Sequence, residues 1–109
     1  MSYEILRTEA FSKHLKQLAK KYPSIKTDYV ALLDSLQKVP KQGNPLGKDC
    51  YKIRMKISSK NTGKSGGARV ITFVKIELKT ITLLDIYDKS EKENITDSEL
   101  AALLKKAAV

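Results

Sequence analysis

Apolar side chains recur at helical spacing over the first third of the chain. After Thr8, the residues Phe11, Leu15, Leu18 and Tyr22 fall on one side, with Lys13, Lys16, Gln17 and Lys20 opposite, which predicts an amphipathic helix. Thr8 is placed to cap it, and Glu9 puts an acid at the positive end of the helix dipole. Pro23 disfavours helix at Tyr22, and Ser24 offers a second cap at once. Ile25, Tyr29, Leu32, Leu33 and Leu36 then form a new stripe, which Pro40 ends. Two helices joined by two or three residues make an antiparallel hairpin. Ahead of them, residues 3–8 alternate weakly around Ile5 and Leu6 and predict a short first strand.

Beyond Pro40 the period changes to two. Residues 41–47, with Gly43, Asn44, Pro45 and Gly47, read as loop. From Cys50 to Ile57 the alternation is unbroken: Tyr51, Ile53, Met55 and Ile57 face one way, Cys50, Lys52, Arg54 and Lys56 the other. A polar connection from Ser58 to Gly67 leads to a second strand, Arg69 to Leu78, and a third follows from Thr80 to Asp88. These three predict an antiparallel meander. Thr96-Asp97-Ser98-Glu99 is a capping box, with Ile95 and Leu100 as its staple and Leu103 and Leu104 continuing the apolar side. The order β-α-α-β-β-β-α is that of an α+β fold: a small antiparallel sheet with an N-terminal antiparallel helical hairpin and a C-terminal helix. A single domain, residues 1–109, is expected, without internal repeats.

Composition narrows the function. With 41% hydrophobic and 30% charged residues, the chain has the make-up of a soluble globular domain. No apolar run approaches the ~20 residues that cross a bilayer. The start, Met1-Ser2-Tyr3-Glu4-Ile5, lacks the basic and apolar regions of a signal peptide, so no membrane and a cytoplasmic location are expected. A single cysteine, Cys50, forms no internal disulfide and suits a reducing compartment. One cysteine and one histidine, His14, cannot fill a zinc or iron–sulfur coordination sphere, so no metal and no cofactor are expected.

Charge changes the picture more. Lysine and arginine number 21 against 12 acids, a net of +9. Segment 38–75 alone holds ten basic residues and one acid, Asp49, which equals the whole excess. Within it, Lys52, Arg54 and Lys56 project from one strand face about 7 Å apart. Their mutual repulsion suits a site that meets anions, and suits equally an edge strand kept soluble by its charges. Arg69 favours the first reading. It opens the next strand, where a hairpin brings it near the same face, and its rigid fork matches phosphate oxygens. Tyr87 shares a parity with Asp85 and Leu83 in the third strand and can stack on a base or exchange a proton. The more frequent fate of such a tyrosine is half-burial with its hydroxyl in water.

Other motifs carry less. Gly63-Lys64-Ser65 has the end of a phosphate-binding loop, yet Ser58 stands where the first glycine belongs and a strand follows instead of a helix. Nucleotide binding is therefore rejected. His14, far from the basic strands in sequence, reads as a helix-surface or half-buried histidine. Asn94-Ile95-Thr96 matches a glycosylation acceptor but serves here as a helix cap.

Three segments resemble the RelE/ParE toxin superfamily of bacterial type II toxin–antitoxin modules. Residues 48–56, Lys-Asp-Cys-Tyr-Lys-Ile-Arg-Met-Lys, resemble the second strand of RelE-type members. Residues 63–71 and 83–92 are similar to HigB-like members, and the likeness covers nearly the whole chain. The resemblance implies a metal-independent endoribonuclease, an mRNA interferase that cuts the message in the ribosomal A site by attack of a ribose 2′-hydroxyl on the adjacent phosphate. It implies Lys52 as base or phosphate holder, Arg54 beside it, Arg69 as the group that stabilises the transition state, and Tyr87 as a proton-transfer group. A lysine base requires a lowered pKa, which neighbouring cations promote. Lys56, Lys60, Lys64 and Lys89 would bind RNA. Ser90 and Thr96 stand where RelE-type members carry an arginine and a tyrosine, which is why Tyr87 and Lys89 are taken in their place.

The implied partners are a cognate antitoxin, the ribosome and mRNA. An antitoxin would carry an acidic segment to match the basic strip, and Ile71, Phe73 and the flank of the last helix offer apolar surface, although most of it is expected to close the protein's own core. The alternative within the superfamily is a ParE-type toxin, which inhibits DNA gyrase and is no nuclease. Arg69 is expected at the surface, where alanine would remove toxicity and leave folding intact.

Overall fold

The computed structural model describes residues 2–60 and 66–107, so the Gly63-Lys64-Ser65 motif lies outside the described residues. The chain forms a strand β1 (Glu4–Arg7), helices α1 (Glu9–Lys21) and α2 (Ile25–Lys38), and strands β2 (Asn44–Gly47) and β3 (Cys50–Met55). After these come β4 (Ala68–Lys75), β5 (Thr80–Asp88) and helix α3 (Asp97–Lys106), with 3₁₀ turns at Ser58–Lys60 and Ile76–Leu78.

Local chemistry accounts for the helix ends. The Thr8 hydroxyl accepts the Phe11 N–H at 3.1 Å, and Thr96 and Glu99 bond reciprocally as a capping box. Ser24, expected as a cap, makes no cap bond. Its hydroxyl donates to the Asp28 carboxylate at 2.7 Å. That carboxylate also takes the Ser58 N–H and hydroxyl at 3.0 and 2.6 Å, which ties α2 to the segment following β3.

The five strands lie in the order β1-β5-β4-β3-β2. The expected antiparallel meander is β3–β4–β5, and β1 adds a parallel pairing along β5, Glu4 opposite Thr80 through Arg7 opposite Leu83. The segment expected as loop supplies an edge strand, β2. Gly43 adopts φ +97°, and a Cβ there would stand 2.4 Å from the Lys52 carbonyl oxygen, so only glycine lets the chain pass so close to β3. Lys48 and Asp49, with φ of 54° and 62°, form the left-handed pair of a tight hairpin turn. Pro45 is tolerated because β2 is an edge strand. β4 stops at Lys75, short of the expected Leu78, because the chain turns through Ile76–Leu78 and closes with Lys79 at φ 53°.

Each sheet face covers a core. Phe11, Leu18, Leu32 and Leu36 of the helical hairpin pack on Ile53, Val70, Leu83 and Ile86. On the opposite face Cys50, Ile71, Leu84 and Tyr87 meet Leu100 of α3, with Phe73 against them. Ile71 and Phe73 thus serve the protein's own second core. A bulge divides the two sets along β5. Ile71 stands opposite Asp85 and Thr72 opposite Leu83, which leaves Leu84 as the extra residue. The bulge breaks the expected common parity of Leu83 and Tyr87: Leu83 packs on the hairpin side and Tyr87 on the α3 side.

Beyond Leu83 no strand among the described residues lies beside that edge of β5, and α1 takes its place. The Thr8 hydroxyl donates to the Leu84 carbonyl at 2.9 Å, His14 meets Asp85, and the Tyr22 hydroxyl donates to Asp88 at 2.6 Å. Asp88 also accepts the Ser90 N–H and hydroxyl at 3.0 and 2.8 Å and pairs with the Lys60 ammonium at 3.0 Å. Burial alone would raise this carboxyl, but the hydrogen bonds from Tyr22, Ser90 and Lys60 win and hold it well below the usual carboxylate range. The folded state therefore takes up that proton less readily than the unfolded chain. The stability it contributes is full above about pH 4 and is lost as the solution is acidified below that. Asp88→Ala should cost about 3 kcal/mol at pH 7, read from the urea midpoint, and the gap to the unaltered protein should narrow below about pH 4.

Candidate active site

Sheet register builds the site. Arg54 of β3 stands directly opposite Arg69 of β4, and Arg69 directly opposite Tyr87 of β5, so the three form one row across three strands. Side chains directly opposite have Cβ atoms about 5 Å apart, and like charges so placed repel. Lys52 lies two residues before Arg54 on the same face. Gly67 allows the close approach at this end of the sheet, where a Cβ would sit 2.2 Å from the Met55 carbonyl oxygen.

The row runs from solvent to interior. Arg54 and Lys56 are exposed, Lys52 is half-buried, and Arg69 is only 4% exposed. This corrects the expectation of a surface Arg69: β4 is the middle strand of the sheet, with β3 on one side and β5 on the other. The Arg69 guanidinium donates to the Ala68 carbonyl at 3.2 Å. Burial and then the charge of Arg54 lower its pKa, while Tyr87 partly offsets them. Tyr87 is 9% exposed, and among the described residues its hydroxyl has no hydrogen-bond partner. Burial pushes that hydroxyl up from its ordinary value, against the pull of Arg69, with smaller contributions from Asp85 and Glu99. It is a proton donor at neutral pH.

The connection from β5 to α3 folds over this row. Lys52 donates to the Asn94 side-chain oxygen at 3.1 Å, and the Lys92 ammonium lies 5.3 Å from the centre of the Tyr87 ring. Lys92 also pairs with Glu99 and, with the Thr96 N–H, draws that carboxyl down to about 2. In the sequence Lys92 reads as an ordinary surface lysine and Asn94 only as part of a glycosylation match. Their place at the site depends on the path of the connection, which no periodicity encodes.

The remaining expected RNA contacts divide. Lys60 is engaged by Asp88 and lies 5.3 Å from the centre of the Tyr22 ring, away from the row. Lys89 follows the last residue of β5, and its N–H donates to the Gly67 carbonyl at 3.1 Å. Lys64 lies outside the described residues. Cys50 shares the strand face of Lys52 and Arg54, but its end of that face is roofed by the second core. Among the described residues no group of three or more His, Cys, Asp or Glu side chains is placed to hold a metal ion, and no helix is long and apolar enough to cross a membrane.

With the geometry in place, comparison with known proteins is direct. The family model described as "RelE toxin of RelE / RelB toxin-antitoxin system" matches residues 4–109. A free-state double mutant of the E. coli toxin RelE has the same fold at a TM-score of 0.59 and 19% identity, over 99% of this chain and 96% of that one. The toxin–antitoxin complex RelBE2 of Mycobacterium tuberculosis gives 0.57 and 14%, over 81% and 92%. No curated protein matches the chain.

Burial, followed by the charge of Asp49, pushes the Cys50 thiol up to about 11. The folded protein should therefore resist alkylation by iodoacetamide at pH 8 and react only on unfolding, as mass spectrometry of native and urea-treated samples would show.

Proposed function

Because the chain belongs to the RelE toxin family, we propose that it is the toxin of a toxin–antitoxin pair and acts as a ribosome-dependent endoribonuclease on mRNA. The observation that carries this reading is the row Arg54–Arg69–Tyr87, which sets two guanidiniums opposite each other beside a protonated phenol. Two adjacent forks that repel each other are stabilised by an anion lying between them, and a crowded phosphate carries more negative charge than its ground state.

The reaction asks for little else. The ribose 2′-hydroxyl attacks the adjacent phosphorus, and the chain breaks to a cyclic phosphate and a 5′-hydroxyl. Arg69, fixed in the sheet, is assigned to the transition-state charge, and Arg54 holds the same phosphate from the open side. Lys52, whose ammonium already donates a hydrogen bond, is assigned to phosphate holding. Lys56 and Lys89 steer the RNA, and the surrounding positive field speeds its approach.

An antitoxin partner is part of the proposal, in keeping with the M. tuberculosis neighbour, which is a toxin–antitoxin complex. An acidic segment on that partner would match the charge of residues 38–75.

Arg54→Ala is the cleaner test, since Arg54 is exposed while Arg69 is buried. Ribosome-bound message incubated with the protein should be cut at defined sites, mapped by primer extension, and naked message should stay whole. Arg54→Ala should slow cutting by about 100-fold with an unchanged melting temperature. Growth arrest with intact message and blocked DNA supercoiling would refute the proposal in favour of a gyrase inhibitor.

A further inference from the structure

Lysine carries its charge on a long, flexible stem, and what fixes the stem decides what becomes of the charge. Lys21, Lys60, Lys75 and Lys92 are each fixed by a carboxylate: Glu91 at 2.9 Å, Asp88 at 3.0 Å, Asp49 at 3.0 Å, and Glu99. Lys52 is held in another way. Its ammonium donates to the side-chain oxygen of Asn94 at 3.1 Å, so its partner is a neutral amide. A carboxylate cancels the charge it holds. An amide oxygen takes one of the three ammonium donors and leaves the full positive charge in place.

The contact lies where a ligand can reach it. Lys52 stands two residues before Arg54 on one face of β3, and Arg69 stands opposite Arg54 on that face. Lys52 is half-buried, while Arg54 and Asn94 are exposed, so the amide meets the ammonium on the open side of the row.

Asn94 is itself anchored by its neighbours in the chain. Ile95 packs against the second core, and the Thr96 N–H donates to the Glu99 carboxylate at 2.9 Å. Two residues before Asn94, Lys92 is tied to the same Glu99. Glu99 thus clasps the connection on both sides of Asn94, which gives an irregular segment a set position.

We propose that Asn94 is a positioning residue for the anion site: it holds the Lys52 ammonium beside the Arg54–Arg69 row without cancelling its charge, ready for a phosphate oxygen of the RNA. This deepens the endoribonuclease reading and rests on it, but part of its test is independent of cutting. A lysine already restrained loses less rotamer entropy when the phosphate arrives. A mere tie between β3 and the connection would be served at least as well by a carboxylate, as the other four lysines are.

Asn94→Asp separates the two roles, because it keeps the shape and the contact but turns the contact into an ion pair. Binding of a short fluorescein-labelled single-stranded RNA to the full-length protein is followed by anisotropy over a range of potassium chloride concentrations. Asn94→Asp should weaken binding about tenfold at low salt. The slope of log affinity against log salt should fall by about 0.7, the loss of one phosphate contact. Its melting temperature should equal or exceed that of the unaltered protein. Asn94→Ala should leave the slope unchanged and slow cutting of ribosome-bound message about tenfold at saturating protein, since the charge remains but is no longer held. In a Lys52→Ala background, Asn94→Asp should weaken binding by less than about twofold more.

Full-strength binding by Asn94→Asp with the original slope, additive losses in the double variant, or no RNA binding by the unaltered protein would overturn the assignment while the endoribonuclease reading stands. Failure of the unaltered protein to cut ribosome-bound message would remove that reading, and the salt slopes would then decide for or against Asn94 at an anion site.

Discussion

One buried carboxylate holds the working end of the molecule in place. Asp88 closes β5, and its oxygens collect Tyr22 from the end of α1, Lys60 from the turn after β3, and Ser90 from the start of the connection to α3. The net effect of burial and hydrogen bonding is to keep it ionised. Asp88 adjoins Tyr87 in the chain and stands opposite Ala68, next to Arg69, in the sheet. The geometry of the row therefore depends on an ion pair that takes no part in it. A carboxylate so placed also counts against the view that every lysine of a basic segment faces the ligand, since Lys60 spends its charge inside the protein.

The central position of β4 has a second effect. An arginine on a middle strand loses most of its hydration, and one facing another arginine also meets a like charge. Folding thus sets two like charges against each other, an arrangement that an anion between them would relieve. Preorganised charge of this kind costs stability and returns it in the bound state. Tyr87 extends the same logic, since its hydroxyl is buried without a hydrogen-bond partner among the described residues.

Much of this was legible in the chain. Helical and strand periods, the Thr8 cap and the Thr96–Glu99 box all express local rules, and α1 and α3 begin where those rules placed them. β5 runs from Thr80 to Asp88 as the alternation implied. What the sequence hid was non-local. β2 forms because Gly43 tolerates an approach to Lys52 that composition cannot show. Arg69 lies buried because strand order, and not strand sequence, puts β4 in the middle. The Leu84 bulge turned a correct alternation into a wrong parity for Tyr87 and Leu83. His14 looked remote from the basic strands because 71 positions separate it from Asp85, and only the run of α1 along β5 brings them together.

The parallel strand at the beginning of the fold carries a consequence for timing. Glu4 through Arg7 can pair only with Thr80 through Leu83, and Thr8 reaches 76 positions forward to Leu84. Contacts of such span close late, because the loop between them must be ordered first. Synthesis proceeds from the amino end, so β1 emerges long before the strand it pairs with. The row Arg54–Arg69–Tyr87 is likewise incomplete until its last member has been made. A partly made chain therefore has a basic surface without the row, which comes together only once β5 has been made.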